Sequence, residues 1–438
     1  MAPGREKRDK ERGLRMNRRS VLGAAFAAAG MMAGGGTAMA LRIDARETGA
    51  KGDGTADDSA AIQRALDRAA ERGEVFLAAG RYRLESGLVI PPGVTLRGTW
   101  QAPHHAEHRK GTILLAYAGM GSETGDPLIR LSPNSCIRGV TIYHPEQRIP
   151  GTVPFPWTIQ GEGMHGSVID VTLVNPYRGI DFGERPNELH YIRNVFGCPL
   201  KAGIHVDKCT DIGRIENVHF NPHYWQRSGE ENIPEWQALL DYLFDNCVAF
   251  SIGRSDWEFM HNTFSFGCHV GYRFYASDAG ACNGNFLGIA ADWARTCVLV
   301  EETQPPGLLI TNGEFVGGKG SQVVVDVRET HSGVVQFSNC AFWGPHEVIA
   351  RLAGKGFLSM TQCNFVNWDT SGRDAPAIDA LSGEISVTNC FFREDRPQFR
   401  LAEGVRSAVI TGNRFAGEAR IQNMSKGDVQ AGLNVVAR

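Results

Sequence analysis

Acidic residues recur at matching places in the middle of the chain. Asp256 in "GRSDWEF" and Asp278 in "YASDAGA" each follow a serine and each precede a phenylalanine by eight residues. Glu188 and Asp211 stand eight and nine residues before phenylalanines of their own. Carboxylates stacked about 5 Å apart cannot all ionise easily, so one gains a raised pKa and acts as an acid while another acts as a base. The pattern predicts a column of carboxylates suited to glycoside hydrolysis, retaining for close neighbours and inverting for a wider pair.

The alignment behind this column has an alternative. "SFGC" at 265–268 also matches "VFGC" at 195–198, and that match shifts the alignment by two residues. The shift takes Asp256 out of the column and brings Glu258 nearer to it. For each acid the structural alternative is a turn residue that accepts backbone hydrogen bonds. We take Asp256 and Asp278 as the predicted pair, with Asp211 or Glu188 as a third acid. The catalytic candidates are Asp256, Asp278, Asp211, Glu188 and Glu258.

Aromatic and cationic side chains gather in the same part of the chain. Rings that are exposed in a groove stack on sugar faces, and arginines bind a substrate carboxylate. The alternative is that the rings pack a surface segment onto the scaffold and that the arginines pair with the acids. The candidates for substrate binding are His223, Tyr224, Trp225, Trp257, Arg254, Arg273 and Trp293.

A repeated unit positions these residues. Short Asn-x-Phe-like units recur at 22 to 31 residues, with one interval of 44 residues before Phe264. Each unit alternates apolar and polar residues over about five positions and ends at Gly, Asn or Asp, which is typical of a short strand and a turn. Strands at this period, without helices between them, predict a parallel β-helix of about a dozen coils. Asparagines at matching positions are interpreted as structural ladders: Asn217, Asn262, Asn312, Asn339 and Asn389.

The 44-residue interval contains an insertion at residues 221–246. From Pro234 onward its pattern is helical, with an apolar side made by Trp236, Leu239, Leu240 and Leu243. A long insertion with its own helix is typical of a functional wall or lid, and the alternative is a decoration packed on the scaffold.

The ten cysteines do not follow a disulfide or zinc pattern. Cys340, Cys363 and Cys390 take the same place in successive repeats, which predicts a stack of buried thiols rather than bridges. The histidines of "HHAEH" at 104–108 lie in a loop sequence and are interpreted as solvated. No metal site is predicted.

The amino-terminal part resembles a known superfamily. "GAKGDGTADDSAAIQRALDRA" at 49–69, followed by "VFLAAGRYRLESGLVIPPGVTLRG" at 75–98, is similar to the amino-terminal signature of the pectate-lyase-like superfamily. Polygalacturonases, rhamnogalacturonases, β-1,3-glucanases, phage tailspikes and some polysaccharide lyases and epimerases belong to it. The resemblance implies a right-handed β-helix that acts on sugar chains lying along a groove. Neither the polygalacturonase motifs Gly-His-Gly and Arg-Ile-Lys nor the arginine-proline signature of pectate lyases is present, so the resemblance transfers no catalytic residue.

Three aspartates in this signature, Asp53, Asp57 and Asp58, are interpreted as structural. Asp57 or Asp58 stands where a helix begins, and Gly73 closes the segment. The apolar stripe of this helix is formed by Ala61, Ile62, Ala65, Leu66 and Ala69. We predict that the helix caps one end of the solenoid, where a sheet edge would otherwise be exposed.

Residues 1–40 are predicted to be a twin-arginine export signal. A basic stretch with the pair Arg18-Arg19 precedes a short apolar run and the small-residue pattern "AMA" ending at Ala40. Without this segment the chain has 37 Lys and Arg against 45 Asp and Glu. This negative balance gives no support to binding of nucleic acid or anionic membranes. The expected location is the periplasm or the extracellular space.

The sequence therefore predicts an all-β chain with one domain at 41–438, a right-handed single-stranded parallel β-helix with an amino-terminal capping helix. We expect an exported enzyme that cleaves glycosidic bonds of a poly- or oligosaccharide by carboxylate acid/base hydrolysis. One alternative is a polysaccharide lyase that acts on a uronate polymer, often with calcium; another is a non-catalytic glycan-binding rod. No cofactor and no membrane span are predicted, and the oligomeric state is a monomer or a homotrimer.

Overall fold

The computed structural model describes residues 41–70, 73–100 and 109–437. The predicted export signal and the "HHAEH" stretch lie outside these ranges. Nearly all of the described strands join into one continuous parallel sheet, in which each strand pairs with the equivalent strand of the coil before and the coil after. The predicted fold class, a right-handed parallel β-helix, is confirmed.

Three faces form each coil. We call the first face the groove sheet; its strands are Leu88–Ile90, Ile129–Leu131, Trp157–Gly161, Arg178–Phe182, Ala202–Val206, Val248–Ile252, Val270–Phe274, Thr296–Val300, Ser321–Val327, His346–Leu352 and Ile421–Asn423. The second sheet contains Leu41–Asp44, Gly73–Phe76, Thr95–Arg97, Cys282–Leu287, Leu308–Thr311, Val334–Ser338, Phe357–Thr361 and Asp428–Gly432. The third sheet contains Asp53–Asp57, Gly80–Leu84, Thr112–Ala116, Ala290–Ala294, Glu314–Gly317, Ala341–Trp343, Asn364–Phe365, Phe391–Phe392, Arg414–Ala416 and Val435–Ala437.

Longer strands bend from one face to the next. Those that run from the second sheet into the third are Cys136–Tyr143, Ser167–Leu173, Tyr191–Gly197, Arg214–Phe220 and Ser255–Phe266. Those that run from the groove sheet into the second are Ile378–Thr388 and Phe399–Thr411. A separate short pair, Gly163–Met164 and Asn187–Glu188, follows the groove sheet.

Asparagines form the corner between the second and third sheets. Asn217, Asn262, Asn312, Asn339 and Asn389 all have φ between 52° and 56°. This left-handed conformation is disfavoured for most side chains and is tolerated by asparagine. The Asn339 side-chain amide donates to Asn312 Oδ1 at 2.7 Å, and Asn262 donates to Asn217 Oδ1 at 3.2 Å. The corner asparagines are therefore structural, as predicted.

The capping helix α1 spans Ser59–Arg68, and the predicted apolar stripe is buried. Asp57 accepts from the Ser59 N–H at 3.0 Å at the start of the helix. Asp58 accepts instead from the backbone N–H groups of Lys51 and Gly52, at 2.6 and 3.0 Å. The aspartates thus satisfy backbone donors at this end of the solenoid.

The insertion at 221–246 contains two helices, α2 (His223–Gln226) and α3 (Trp236–Asn246). Leu239 and Leu243 of α3 are buried, which agrees with the helical pattern in the sequence. The chain then enters the groove sheet, where the Val248 N–H donates to Lys201 O at 2.9 Å. The insertion therefore stands at the edge where groove-sheet strands begin. None of the helices in the described ranges combines the length and apolar character that a bilayer crossing requires.

All ten cysteines are free thiols, and every one except Cys136 is buried. The predicted buried stack at Cys340, Cys363 and Cys390 is confirmed. These small side chains fill equivalent interior positions of successive coils.

Candidate active site

The phenylalanine alignment holds at the carboxyl-terminal coils and fails in the middle. Phe220 pairs with Ser265 rather than with Phe264, and Phe286 lies in the second sheet instead of the third. At these coils a small residue takes the inward position, and the buried ring of Tyr272 reaches in from the groove sheet. Phe196 and Phe264 stay in register through His219, so Glu188 and Asp256 keep their predicted alignment, whereas the shift of Phe286 removes Asp278 from it.

The structure brings two of the predicted acids into one column. Isolated bridges join Cys209 to Asn187 on one side and to Ser255 on the other. The next residues along the chain lie side by side, in the order Glu188, Thr210 and Asp256. The Thr210 hydroxyl donates to a Glu188 carboxylate oxygen at 2.6 Å. Glu188 and Asp256 are two coils apart, about 10 Å at the spacing of parallel strands.

Asp211 and Asp278 lie outside this column, which corrects the predicted alignment. The coil that contains Asp211 has one residue more, between its paired strand positions, than the coil that follows it. Asp211 is exposed in this longer turn. Its carboxylate accepts from the Ile212 N–H at 3.0 Å. Asp278 is exposed at the tip of a turn that Ser277 and Gly280 close with two backbone hydrogen bonds. Both acids fit the alternative of turn residues.

Glu258 is fully buried inside the solenoid and cannot contact a substrate there. One carboxylate oxygen lies 3.2 Å from His190 Nε2, and the other accepts from the Ser255 hydroxyl at 2.6 Å. Burial alone would lower the pKa of His190, but the Glu258 charge and the hydrogen bonds to Cys209 and Glu258 together raise it to about 10. Glu258 is therefore one half of an interior ion pair.

Asp256 is held by two side chains at the surface. Arg254 Nε donates to Oδ1 at 3.0 Å, and Gln304 Nε2 donates to the same oxygen at 2.6 Å. The Arg254 hydrogen bond is the main cause of a lowered pKa at Asp256. Asp256 thus stays ionised, which suits a base or an electrostatic role better than the role of an acid.

Three of the predicted substrate-binding residues hold the insertion in place. Tyr224 and Trp225 are buried, and the Tyr224 ring lies 5.9 Å from the ring of Phe196. His223 stacks on Trp236 of α3 at 4.5 Å. Because the two buried rings are covered by the protein itself, they cannot stack on a sugar in this conformation.

Two other predicted aromatic residues are exposed on different faces. Trp257 is 54% exposed and directly follows Asp256, and Trp293 is 37% exposed on the third sheet. Of the two, Trp257 accompanies the acid column.

The groove sheet carries a hydrogen-bonded relay that sequence reasoning missed. Asp181 and His205 are register partners, and the Asp181 carboxylate accepts from His205 Nδ1 at 2.6 Å. His205 Nε2 lies 2.7 Å from the hydroxyl of Tyr275. Because Nδ1 donates to a carboxylate, Nε2 of a neutral imidazole accepts the Tyr275 proton. The order is that of a proton relay from a hydroxyl through a histidine to an acid.

Burial is graded along this relay. Asp181 is fully buried and also accepts from Gln160 Nε2 at 2.9 Å and from the Gly183 N–H at 3.0 Å. His205 and Tyr275 are half-buried on the surface of the groove sheet. Burial raises the pKa of Tyr275, so its hydroxyl keeps its proton until a base removes it.

Two glycines make room for the relay. A Cβ at Gly183 would lie 2.3 Å from His205 Cε1, and a Cβ at Gly253 would lie 2.8 Å from Tyr275 Cζ. Tyr275 therefore reaches back across the coil of Gly253 to meet His205. A side chain on that coil would block the contact.

Planar side chains stack against the relay on both of its sides. Trp157 stacks on His205 at 5.8 Å, and the Arg178 guanidinium lies 5.4 Å from the Trp157 ring. On the other side Arg273 lies 4.6 Å from the Tyr275 ring. This surface, which we call the stacked row, has an arginine at each end and the His205–Tyr275 pair in the middle. Of the predicted substrate-binding residues, Arg273 belongs to it.

A repeated motif could have revealed the relay. "GIDF" at 179–182 and "GIHV" at 203–206 lie 24 residues apart, close to one coil, and each places a polar residue between two apolar ones. An outward polar residue on a buried strand of a solenoid marks a surface position that successive coils share.

The residues of this region do not fit a calcium site. Within the described ranges no three Asp, Glu, His or Cys side chains converge as ligands for a metal ion. In the groove sheet the oxygens of Asp181 are already taken by His205, Gln160 and backbone N–H groups. These oxygens are therefore committed to the relay and its support.

Comparison with known proteins supports the fold. Residues 42–147 match the family model described as rhamnogalacturonase A/epimerase, pectate lyase-like. No curated protein sequence matches the chain. Among solved structures, the N-terminal fragment of bacteriophage Phi29 gene product 12 is 13% identical, with 89% of this chain and 72% of that one covered and a TM-score of 0.52.

Two further structures have lower TM-scores. The A-module of the Azotobacter vinelandii mannuronan C-5 epimerase AlgE6 is 14% identical, with 90% of this chain and 99% of that one covered and a TM-score of 0.46. The catalytic unit of a GH87 α-1,3-glucanase from Streptomyces thermodiastaticus is 13% identical, with coverages of 91% and 71% and a TM-score of 0.40. The family-model match at residues 42–147 and the parallel β-helix that continues beyond it support the resemblance of the chain to the pectate-lyase-like superfamily.

Proposed function

We propose that this protein is an exported enzyme that removes the proton next to the carboxylate of a uronate residue in a poly- or oligosaccharide. The reaction is β-elimination or epimerisation, both of which begin with this proton transfer. The observation that carries the proposal is the Asp181–His205–Tyr275 relay, whose reactive end lies on the surface of the groove sheet. The family match supports a carbohydrate substrate.

The relay supplies a base of the required kind. The Tyr275 oxygen takes the proton from ring carbon C5 while its own proton moves to His205 Nε2. Asp181 holds the imidazole in the required tautomer and stabilises the imidazolium that forms. General base catalysis of this kind contributes about 10²- to 10⁴-fold to a rate.

Elimination and epimerisation differ in the step after proton removal. In elimination the electron pair of the C5–H bond forms the C4–C5 double bond, the C4–O4 bond breaks, and O4 leaves with a proton from the relay or from water. In epimerisation a proton from water is added to C5 on the opposite face, and the relay releases the proton it has gained to solvent. Arg273 is placed to stabilise the substrate carboxylate, because its guanidinium stacks on Tyr275 and carries five N–H donors while Glu301 accepts from two of its nitrogens.

Hydrolysis is the second candidate, and the Glu188–Thr210–Asp256 column favours it. Glu188 and Asp256 are two coils apart, which corresponds to about 10 Å, just beyond the upper end of the spacing of inverting glycosidases. In this reaction Asp256 acts as the base that activates water and Glu188 as the acid. The lowered pKa of Asp256 agrees with the role of a base.

A product assay separates the candidates. The purified protein is incubated with polyuronates and with neutral polysaccharides, and both new reducing ends and the absorbance of unsaturated uronates are followed. We expect uronate-specific unsaturated products, or an altered epimer ratio without cleavage, and we expect Tyr275→Phe to abolish either. Tyr191→Phe is the matched control, because Tyr191 donates to Glu216 on the second sheet, outside the relay.

The remaining outcomes point elsewhere. Reducing ends without unsaturated product, lost in Asp256→Asn, would replace the proposal by hydrolysis. Glycan binding without any product would replace it by a non-catalytic rod. We further propose export through the twin-arginine route to the periplasm or outside the cell, as a monomer or homotrimer.

A further inference from the structure

A loop carboxylate occupies a cationic site at one end of the stacked row. The segment 117–128 connects two strands and contains neither helix nor strand. Its Glu123 accepts from Lys201 Nζ at 2.7 Å on both oxygens, from Arg178 Nη2 at 2.8 Å, and from the hydroxyl of Tyr177. Three donors from two coils of the groove-sheet edge thus converge on one carboxylate.

This site is continuous with the relay. Arg178 lies three residues before Asp181 on the same strand, and its guanidinium lies over Trp157, which stacks on His205. A carboxylate bound by Arg178 therefore sits at the end of the surface on which the sugar chain would lie.

The loop that supplies Glu123 has open space beside two of its glycines. Gly121 has a φ of 90° and nothing within 4 Å of an added Cβ, and Gly125 has a φ of 131° with only Pro156 nearby. The side chain of Glu123 itself is 35% exposed. Exchange of this carboxylate for another preserves every charge-assisted hydrogen bond at the site.

We propose that Tyr177, Arg178 and Lys201 form a binding site for a uronate carboxylate of the substrate, which Glu123 occupies until the sugar chain displaces it. The inference rests on the proposed function and extends it, since it assigns a second carboxylate position beyond the one at Arg273. The hydrogen bond from Lys201, followed by that from Tyr177, lowers the pKa of Glu123 to about 2. The site therefore favours an anion.

The test measures equilibrium binding rather than turnover. In a Tyr275→Phe background, which prevents consumption of the ligand, calorimetry gives the Kd of a saturated uronate oligosaccharide and of a neutral oligosaccharide of equal length. Glu123→Gln removes the competing charge and is expected to tighten uronate binding about tenfold without changing neutral binding. Lys201→Met, an independent variant, is expected to weaken uronate binding about tenfold.

The control is Glu384→Gln, which removes a carboxylate paired with Arg406 at 2.7 Å on the second sheet. It should leave both Kd values unchanged. Equal effects of Glu123→Gln on the two ligands, or no effect of Lys201→Met on uronate, would overturn the anion site. If a sulfate ester of the neutral oligosaccharide binds as tightly as the uronate, the assignment of the site to carboxylates is overturned.

The two proposals fail separately. If the binding results are as expected but the wild-type protein neither eliminates nor epimerises uronates, the proposed chemistry is wrong and the anion site is supported. If the protein turns over uronates but Glu123→Gln leaves their Kd unchanged, the proposed chemistry is supported and the anion site is wrong.

Discussion

The contact between Tyr275 and His205 is possible because Gly253 has no side chain. A Cβ at this position would lie 2.6 Å from Asp207 Oδ1 as well as 2.8 Å from Tyr275 Cζ. Contacts this short force a neighbour to move. A single methyl group is therefore enough to separate the two members of the relay.

We predict that Gly253→Ala lowers kcat/KM for the uronate substrate by at least about tenfold, because misplacement of a reacting group by an ångström has costs of this order. Gly432→Ala, at a position with nothing within 4 Å, is the matched control. Steady-state kinetics and circular dichroism check the result. Full activity in a folded Gly253→Ala protein would show that the contact is dispensable.

The buried His190–Glu258 pair predicts a pH dependence of stability. His190 Nδ1 lies 3.0 Å from Asn187 Oδ1 and Nε2 lies 3.2 Å from Glu258, so both ring nitrogens face acceptors, as an imidazolium requires. The pKa in the folded protein is about 10, above the ordinary 6.5. The stabilising contribution is therefore complete below about pH 6.5 and is lost as the pH rises toward 10.

Urea unfolding between pH 6 and 10 tests this prediction. The free energy of unfolding should fall with rising pH by up to about 1.4 kcal/mol per pH unit from this one proton. His190→Gln should remove that slope and destabilise the protein by about 3 kcal/mol at pH 6, because it leaves a buried carboxylate unpaired. His261→Gln, at a half-exposed position, is the control; parallel pH curves for His190→Gln and wild type would contradict the ion pair.

At the scale of elements, the asparagine corner holds each coil in register. Asn339 has a φ of 54° and donates to Asn312 of the previous coil. We predict that Asn339→Ala lowers the free energy of unfolding by about 1–2 kcal/mol, since alanine resists the left-handed conformation. Asn339→Gly, which loses the hydrogen bond but not the conformation, should cost less. Equal denaturation midpoints for the two variants would contradict a conformational role.

The end cap gives a second prediction for an element. Asp58 is buried and accepts from two backbone N–H groups. Asp58→Ala should lower the free energy of unfolding by about 1–3 kcal/mol, because it leaves buried donors unsatisfied. The activity per folded molecule should not change. Asp67→Ala on the exposed side of α1 is the control, and a loss of kcat in folded Asp58→Ala would reopen a catalytic role for this aspartate.

The elements could be predicted from the sequence because each repeats. The strand period, the asparagine corner and the thiol stack depend on local alternation and on equivalent positions, and these recur in successive coils. The carboxyl-terminal phenylalanine column was also correct, with stacked pairs such as Phe342 and Phe365 at 5.5 Å. The phenylalanine alignment failed near Phe264, where the inward residue is small and no large side chain marks the register.

At the scale of the whole molecule, the residues that stabilise the solenoid are different from those of the proposed site. Interior residues and corners fix the coils, and the exposed side of the groove sheet carries the relay and the stacked row. The relay joins residues 24 and 70 positions apart, and the second distance spans the insertion at 221–246. The length of that insertion obscures which coils are neighbours, so the sequence pointed to acids next to the insertion and not to Tyr275.

The most direct test of the proton relay is release of the C5 hydrogen from a uronate oligosaccharide labelled with deuterium at that carbon. Both elimination and epimerisation pass this hydrogen to solvent, whereas hydrolysis retains it. We predict release of the label by the wild-type protein and by Tyr191→Phe, and at least about a hundredfold slower release by Tyr275→Phe. Cleavage of the oligosaccharide with the C5 label fully retained would contradict the proposed chemistry and point to Glu188 and Asp256 instead.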